Sequence, residues 1–381
     1  MITSKLPDTG TTIFAVMSKM AKDYNAIDLS RGYPEFNCST ELIELVNKHM
    51  RNGHNQYAPV EGIISLREII SQKTEELYSL KYDAEKEITI TSGATQAIFT
   101  AISAFVGEED EVIILEPAYD CYVPAIEIHR GVPVFVQLKS PDYKIDWEEV
   151  QKLVNQKTRM IIINSPHNPT GTILNSHDLE KLKKIVLGTN IIILSDEVYE
   201  HIIFDGYEHQ SIARFPQLAE RSIIISSFGK TFHITGWRIG YCVAPKNLMS
   251  EFRKVHQFLM YTVNTPIQYA LSEYLKNKNE YLKLGNFFAE KRNYFISLIK
   301  DSKFIIRPSE GTYFQLLDYS KISDEKDMDF SIRLIKEFGI ASIPVSSFFH
   351  DKIDEKILRF CFAKENNTLE KAAEKLLQIG K

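Results

Sequence analysis

The chain has 381 residues, of which 44% are hydrophobic and 25% are charged, and its formal net charge is -5. This length predicts two domains, and the mixed, mildly acidic charge excludes a broad basic surface for nucleic acid or anionic lipid. The four cysteines are far apart and form no CxxC pair. We therefore expect reduced thiols in a cytoplasmic protein, with neither a disulfide framework nor a metal site.

The N-terminal segment lacks the features of a targeting signal. Lys5, Pro7 and Asp8 interrupt the first ten residues, so no apolar core of a signal peptide is present. No apolar run elsewhere approaches the roughly 20 residues that cross a bilayer. We expect no contact with a membrane, and we assign residues 1–30 to an N-terminal arm.

Seven short apolar runs, rich in Ile and Val, recur between residues 88 and 244. They lie at residues 88–91, 112–115, 134–138, 160–164, 191–195, 223–227 and 239–244. Such continuous runs are typical of strands buried on both faces. Helical patterns at 95–105 and 178–186 lie between them. The alternation predicts an α/β large domain, residues 31–284, built on a mostly parallel seven-stranded sheet.

The remaining chain has a different pattern. Residues 254–300 predict a long helix. Beyond residue 304, short strands at 312–317 and 357–362 mix with helices at 329–338 and 368–379. We expect a smaller α+β domain, residues 285–381, that packs with the N-terminal segment.

Ligands of open α/β sheets bind at the carboxyl ends of the strands, so the residues after each apolar run are the candidates for function. The first run is followed by Ser-Gly-Ala-Thr-Gln at 92–96, which opens a helix. A glycine turn at a helix N-terminus presents free N–H groups that suit a phosphate. An ordinary turn between a strand and a helix is the alternative.

Two further strand ends carry polar side chains. Two prolines and a glycine make 164–171 a rigid loop that can hold Asn168 as a hydrogen-bond donor. We interpret His167, in the same loop, as structural. Asp196 and Tyr199 are three residues apart and can face one site. A buried carboxylate needs a cationic partner. A pyridinium nitrogen would serve Asp196, and a salt bridge with an arginine is the alternative.

The segment 226–241 carries the strongest signal. A lysine is a surface residue by default, but Lys230 follows a buried strand and a glycine and lies among Ser, Thr, His and Arg donors. A desolvated lysine near other cations has a lowered pKa and becomes a nucleophile toward aldehydes. Ser227 and Arg238 can bind a phosphate, Arg238 through its planar fork.

These motifs resemble a known family. The pattern Ser-x-x-Lys at 227–230, followed by Gly-Trp-Arg-x-Gly at 236–240, resembles the signature of the class I/II aminotransferases, which are pyridoxal-phosphate (PLP) enzymes of fold type I. Asn-Pro-x-Gly at 168–171 and Asp-x-x-Tyr at 196–199 stand upstream in the expected order. The resemblance covers the whole chain and is closest to methionine aminotransferases related to kynurenine aminotransferases.

The resemblance implies roles around the cofactor ring. Lys230 would hold PLP as an internal Schiff base and move the proton between Cα and C4′. Asp196 would keep the pyridine nitrogen protonated, so that the ring acts as an electron sink. Tyr199 and Asn168 would bind the ring O3′, and Tyr119 would stack on the ring face. An ordinary core tyrosine is the alternative for Tyr119.

The resemblance also implies residues for the phosphate, the substrate and the second subunit. The phosphate ligands would be Ala94, Thr95, Ser227 and Arg238. Tyr57 would reach the phosphate from a second subunit, which implies a homodimer. Arg359 stands inside an apolar strand, where a charge is costly unless paired, and would bind the substrate α-carboxylate. Gly32 and Tyr33 match the loop that covers the site, and Asn168 would also contact substrate.

The implied activity moves the amino group of an L-amino acid to a 2-keto acid with ping-pong kinetics. Bacterial aspartate aminotransferases often have a lysine where this chain has Thr95, so a dicarboxylic donor is disfavoured. Aromatic candidates for the substrate pocket favour methionine, with Phe, Tyr, His or kynurenine also possible. They are Phe14, Tyr33, Tyr119, Tyr261, Tyr313 and Phe349.

Two alternatives stay open. A PLP-dependent carbon–sulfur β-lyase would use the same fold and the same lysine. A PLP-sensing regulator built on an inactive aminotransferase domain would carry an N-terminal DNA-binding module, whereas about 30 residues precede Arg31 here.

Overall fold

The computed structural model describes residues 3–7 and 9–380. Its strands, in chain order, are β1 Ile27–Asp28, β2 Ile88–Thr91, β3 Glu111–Glu116, β4 Val132–Gln137, β5 Thr158–Asn164, β6 Ile192–Asp196, β7 Ser222–Ser227, β8 Gly240–Val243, β9 Ile305–Ile306, β10 Phe314–Asp318, β11 Ile340–Ala341, β12 Ile343–Pro344 and β13 Ile357–Cys361.

The α-helices lie between and after these strands. They are α1 Ile13–Asp23, α2 Thr40–Arg51, α3 Ile64–Tyr78, α4 Gly93–Phe105, α5 Tyr122–Glu127, α6 Trp147–Leu153, α7 Ser176–Val186, α8 Pro216–Ala219, α9 Phe228–Thr231, α10 Lys246–Leu259, α11 Thr265–Tyr274, α12 Asn279–Leu282, α13 Leu284–Ile299, α14 Asp327–Arg333 and α15 Asn366–Leu376.

All seven apolar runs form strands of one sheet, in the order β2-β8-β7-β6-β5-β3-β4. Strand β8 runs antiparallel to β2 and β7, and the pairs from β7 to β4 are all parallel. The prediction of a mostly parallel seven-stranded sheet is confirmed.

Both faces of this sheet are buried, which explains the continuous apolar pattern of its strands. Along β5, Ile161 and Ile163 pack into one hydrophobic core, whereas Met160 and Ile162 pack into another. Successive side chains point to opposite faces of a strand. A strand covered on both sides must therefore be apolar at every position.

The predicted long helix over residues 254–300 is wrong. The chain instead forms α10, α11, α12 and α13 there. The backbone leaves α10 at Tyr261, which has a positive φ of 64°. A new helix then begins, because the Asn264 side chain accepts a hydrogen bond from the backbone N–H of Ile267, and Pro266 lies in the first turn.

The C-terminal part contains a four-stranded antiparallel sheet in the order β12-β13-β10-β9. The N-terminal segment packs against this part, because β1 pairs with β11 and α1 contacts β11 and β12. Domain boundaries after residues 30 and 284 remain a proposal. In the described residues, no helix is both long and apolar enough to span a membrane.

Candidate active site

Three neighbouring parallel strands bring the polar motifs to one edge of the sheet. Strand β5 ends at Asn164, β6 at Asp196 and β7 at Ser227, and Asn164 stands in register with Asp196. Because the three strands run in the same direction, their carboxyl ends open onto the same crevice. The loops that carry Asn168, Tyr199 and Lys230 begin there.

Asp196 is a buried carboxylate, and the nearby charge of Lys230 lowers its pKa without forming an ion pair with it. Its side chain is 3% exposed, and it accepts hydrogen bonds from the Tyr122 hydroxyl at 2.6 Å and from the Val198 N–H at 3.3 Å. It forms no salt bridge within the described residues. Burial raises the pKa of Asp196 to about 6, although the Tyr122 hydrogen bond opposes this shift. A cationic ring nitrogen would compensate its charge.

Lys230 lies on α9, just after the end of β7. Its Nζ donates a hydrogen bond to the Gly32 carbonyl at 3.1 Å and lies 5.6 Å from the ring centroids of both Tyr199 and Tyr313. Burial lowers the pKa of Lys230 to about 8, and the charges of Arg359 and Arg238 act in the same direction. With this pKa about one tenth of the amine is neutral and nucleophilic at pH 7, a far larger fraction than for an ordinary lysine.

The turn that opens α4 is shaped around the Arg238 guanidinium. Gly93 has a positive φ of 74°, and a Cβ at this position would lie 2.7 Å from Arg238 Nη2. A Cβ at Gly240 would lie 2.6 Å from the Ser226 carbonyl oxygen. Both glycines therefore let Arg238 and the strands approach the turn closely. The first N–H groups of α4, which have no partners within the helix, together with Arg238 suit a phosphate.

Arg359 on β13 is a buried cation that forms no salt bridge within the described residues, although the charge of Asp120 acts on it. Its side chain is 1% exposed, Nη1 donates to Asn168 Oδ1 at 2.7 Å, and Nη2 donates to the Ser30 carbonyl at 3.0 Å. Its Nε is buried without a hydrogen-bond partner in the described residues. Burial lowers its pKa to about 10. An unsatisfied guanidinium of this kind is suited to bind a carboxylate.

The loop at residues 30–36 lies against these cations. The Gly32 carbonyl accepts hydrogen bonds from Lys230 and from the Tyr313 hydroxyl, the latter at 2.7 Å. A Cβ at Gly32 would lie 2.9 Å from the Phe314 ring, so a larger residue would displace the loop. Tyr33 is 38% exposed at the rim. The predicted Gly32 and Tyr33 thus lie beside Lys230.

The other predicted tyrosines have different surroundings. Tyr199 is buried and packs edge-to-face on Tyr313, with ring centroids 5.2 Å apart. Tyr119 packs edge-to-face on Tyr122 at 5.9 Å. Burial raises the pKa of both Tyr199 and Tyr119, so both hydroxyls are protonated donors near pH 7. Tyr57, by contrast, is 77% exposed on the surface of the protomer.

Sequence reasoning missed two residues of the site, Tyr122 and Lys364. Tyr122, the partner of Asp196, stands three residues after Tyr119, and this spacing was the available signal. Lys364 is only 4% exposed, lies 4.8 Å from the Tyr33 ring centroid and has no salt bridge among the described residues. Its position beyond the end of β13 gave no comparable signal. No group of His, Cys, Asp and Glu in the described residues is arranged to hold a metal ion.

The residues fit PLP in three respects. Asp196 offers an uncompensated carboxylate to a pyridinium nitrogen, Lys230 offers an amine to an aldehyde, and the Gly93 turn with Arg238 offers donors to a phosphate. The order of strands and the position of the lysine after β7 define an enzyme of PLP fold type I.

The sequence profile described as aminotransferase class I and II matches residues 24–376. The chain belongs to this family of aminotransferases, whose members depend on PLP and act on amino acids and keto acids.

Individual relatives agree with this assignment over nearly the full chain. The methionine aminotransferase of Escherichia coli strain K12 is 46% identical over 377 residues, covering 99% of this chain and 98% of the relative. The kynurenine–oxoglutarate transaminase of Dictyostelium discoideum is 34% identical and covers 98% and 95%.

Solved structures show the same fold. The crystal structure of YbdL from Escherichia coli, for which a methionine aminotransferase function was identified, superposes with a TM-score of 0.97 at 46% identity and covers 100% of both chains. The aspartate aminotransferase of Thermus thermophilus with maleate gives a TM-score of 0.91 at 25% identity, covering 99% of both chains.

Proposed function

We propose that this aminotransferase binds PLP through Lys230 and uses L-methionine as its preferred amino donor, with aromatic amino acids, histidine or kynurenine as further donors. The observation that carries this proposal is the set of buried, uncompensated charges at the sheet edge: Asp196, Lys230 and Arg359. Asp196 would offset the charge of the pyridinium nitrogen, and Arg359 would offset that of the substrate carboxylate. Lys230 would supply the amine that reacts with the neutral aldehyde.

Different residues would bind different parts of the cofactor. Asp196 would pair with the ring nitrogen, Tyr199 and Asn168 would bind O3′, and Tyr119 would lie against the ring. The phosphate would be held by Ala94, Thr95, Ser227 and Arg238. When bound, PLP supplies an electron sink for negative charge on the substrate Cα.

Lys230 would act as the general base and acid. Its Nζ would take the proton from the substrate Cα and deliver it to C4′. A pKa of about 8 suits this role, because a catalytic base works best with a pKa near the operating pH. Arg359 would hold the α-carboxylate, aided by Asn168, and so orient the Cα–H bond toward Lys230.

Selectivity for methionine is supported by the surroundings of the predicted pocket. Tyr313 and Phe349 are fully buried, and Phe14 lies 5.3 Å from the Arg359 guanidinium, measured to the ring centroid. Contacts between sulfur and an aromatic ring contribute about 0.3–1.5 kcal/mol each. Thr95 offers no positive charge to a second carboxylate. The 46% identity with a methionine aminotransferase supports the same choice.

A homodimer is supported by the surface around Tyr57. Tyr57 packs edge-to-face on Tyr261, with ring centroids 5.1 Å apart. Phe258, three residues before Tyr261, is 88% exposed. Large exposed apolar and aromatic side chains are typical of an interface. In such a dimer Tyr57 would reach the phosphate of the second subunit.

A half-reaction tests the proposal. The purified PLP-loaded protein is mixed with excess methionine without keto acid, and the absorbance spectrum is followed. We expect conversion to the amine form of the cofactor and its reversal by a 2-keto acid. Conversion by aspartate with a higher kcat/KM than by methionine would contradict the donor choice. Steady release of pyruvate and ammonia from cystathionine without keto acid would favour the β-lyase, which no relative named above supports.

A further inference from the structure

A buried histidine lies behind the phosphate-binding turn and outside the proposed catalytic residues. His256 on α10 is 0% exposed, and its ring stacks on Phe252 with centroids 5.9 Å apart. Its Nε2 lies 3.1 Å from the Val60 carbonyl oxygen, and its Nδ1 lies 3.1 Å from Gln96 Nε2. Gln96 Oε1 in turn accepts a hydrogen bond from the Ser92 N–H at 2.9 Å.

The two ends of this chain of hydrogen bonds have fixed polarity. The Val60 carbonyl can only accept, so His256 Nε2 must carry a proton. The Ser92 N–H can only donate, so Gln96 must present its oxygen there and its amide nitrogen to His256. His256 Nδ1 must then be an unprotonated acceptor. A single arrangement of protons satisfies every partner: neutral His256 with its proton on Nε2.

Independent features favour this neutral form. Burial lowers the pKa of His256 to about 4. Gln96 Nε2 also donates to Thr100 Oγ1 at 2.6 Å, which holds its carboxamide in the required orientation. Protonation at Nδ1 would set two donors against each other, and a flip of Gln96 would leave the Ser92 N–H without its acceptor. The chain of hydrogen bonds from Val60 through His256 and Gln96 to Ser92, which we call the relay, is therefore rigid as well as complete.

The relay connects two segments with different proposed roles. At one end, Ser92 precedes Gly93 and the proposed phosphate ligands Ala94 and Thr95. At the other end, Val60 belongs to the segment 55–62, which carries Tyr57. That segment is also fixed by the Thr265 hydroxyl, which donates to the Gln56 carbonyl at 2.7 Å.

We propose that His256 is a positioning residue that links the phosphate turn of its own subunit to the Tyr57 segment lent to the partner subunit. This inference rests on the proposed PLP-dependent homodimer. His256 touches neither cofactor nor substrate and acts through Gln96 and Val60. Because one imidazole holds both segments, each cofactor site depends on the His256 of both subunits.

The first test compares binding of PLP with binding of pyridoxal, which lacks the phosphate. His256→Phe removes both hydrogen bonds and keeps a ring against Phe252. We expect its dissociation constant for PLP to rise about tenfold and that for pyridoxal to stay within about twofold of wild type. His256→Gln, which offers a donor and an acceptor, should restore most of the PLP affinity.

Phe252→Leu is the matched control, since it disturbs the same packing and leaves the relay intact. Equal weakening of PLP and pyridoxal binding in His256→Phe, or the same selective loss in Phe252→Leu, would assign His256 a merely structural role and overturn the proposal. Unchanged PLP affinity in His256→Phe would also overturn it. Failure of the wild-type protein to bind PLP at all would instead reject the proposed function.

The second test examines the link between subunits in hybrid dimers that contain one Lys230→Ala subunit. Placing His256→Phe on the subunit with intact Lys230 breaks the relay behind the remaining site. Placing His256→Phe on the Lys230→Ala subunit instead breaks only the relay that positions this subunit's Tyr57 segment at the intact site of its partner. We expect weaker PLP binding at the intact site in both hybrids. Full affinity in the second hybrid would contradict the link.

Discussion

The protein buries charge in two regions that follow opposite rules. In the first, Lys73 and Glu200 form an ion pair of 2.7 Å with side chains 5% and 4% exposed. The hydroxyls of Tyr241 and Tyr78 complete it, at 2.8 Å from Lys73 Nζ and 2.6 Å from Glu200. Burial alone would raise the pKa of Glu200, but Lys73 and His201 outweigh burial and hold that pKa well below its usual range.

The second region, at the carboxyl edge of the sheet, leaves its charges without ion pairs in the described residues. Asp196 has a raised pKa, whereas Lys230 and Arg359 have lowered pKa values, and burial is the main cause in each case. Tyr199 and Glu200, consecutive in sequence, belong to the two different regions. The first region therefore compensates its own charges, whereas we propose that a ligand compensates those of the second.

The largest expected effect comes from Lys230. Lys230→Ala should lower the transamination rate by about four orders of magnitude or more, because it removes both the amine that holds PLP and the proton carrier. The readouts are kcat with methionine and the mass of the cofactor adduct after borohydride reduction. Lys246→Ala, a substitution at the start of α10, is the control and should keep both. A Lys230→Ala protein that retains a reducible adduct would contradict the assignment.

The second largest effect on activity is expected from Arg359. Arg359→Met should lower kcat/KM for methionine by about a thousandfold, since a buried charged hydrogen bond to the substrate carboxylate is lost. The lost interaction is with the carboxylate, so a methionine analogue without that group should be equally poor with both proteins. A similar loss for this analogue would place the role of Arg359 elsewhere.

The first region can be tested through stability. Glu200→Gln should lower the free energy of unfolding by about 3 kcal/mol, because Lys73 is left buried without a counter-charge. Glu108→Gln breaks the exposed pair with Arg130, in which the side chains are 65% and 75% exposed, and should cost about 0–1 kcal/mol. Denaturant unfolding measures both values.

The stability of Glu200→Gln relative to wild type should also depend on pH, and the direction of this dependence follows from the pKa of Glu200. The pKa of Glu200 is lower in the folded state, so its contribution is present above the unfolded pKa and is lost as the pH falls toward the folded one. The stability difference between wild type and Glu200→Gln should therefore shrink below a pH of about 4. A difference that grows on acidification would contradict the pairing.

A smaller effect concerns the pH dependence of cofactor capture. Only the neutral amine attacks an aldehyde, and its fraction rises as the pH rises through the pKa. With a pKa of about 8 for Lys230, the capture rate of the cofactor-free protein should rise and level off above about pH 8. Arg359→Met should move the midpoint upward, since Arg359 lowers this pKa. Stopped-flow absorbance measures both profiles.

The sequence was sufficient for the sheet and for the residues at its strand ends. Apolar runs buried on both faces need no partner information, so all seven strands were predicted. Helix α4 and the placement of Asp196, Tyr199 and Lys230 at or just after the ends of β6 and β7 followed from the same pattern. Arg359 was also identified, because a charge inside an apolar strand is conspicuous.

Contacts between distant segments were not predictable. The Tyr122–Asp196 hydrogen bond joins residues 74 positions apart, and Gln96 meets His256 across 160 positions. Gln96 and His256 do not differ locally from ordinary core residues, and only the spacing from Tyr119 marks Tyr122. The break at Asn264 was missed for a different reason, since the helical periodicity on both sides outweighed one cap and one proline. Residues 1, 2, 8 and 381 lie outside the described structure.

The most direct test compares the free energies of unfolding of two lysine variants in the cofactor-free protein. Lys73→Met and Lys230→Met remove a buried ammonium group with the same change of side chain. We predict a loss of about 3–5 kcal/mol for Lys73→Met, because Glu200 is left buried without a counter-charge. For Lys230→Met we predict a loss below about 1 kcal/mol or a gain, because this substitution removes an unpaired charge. Equal losses would contradict the distinction between a self-compensated region and one completed by ligand.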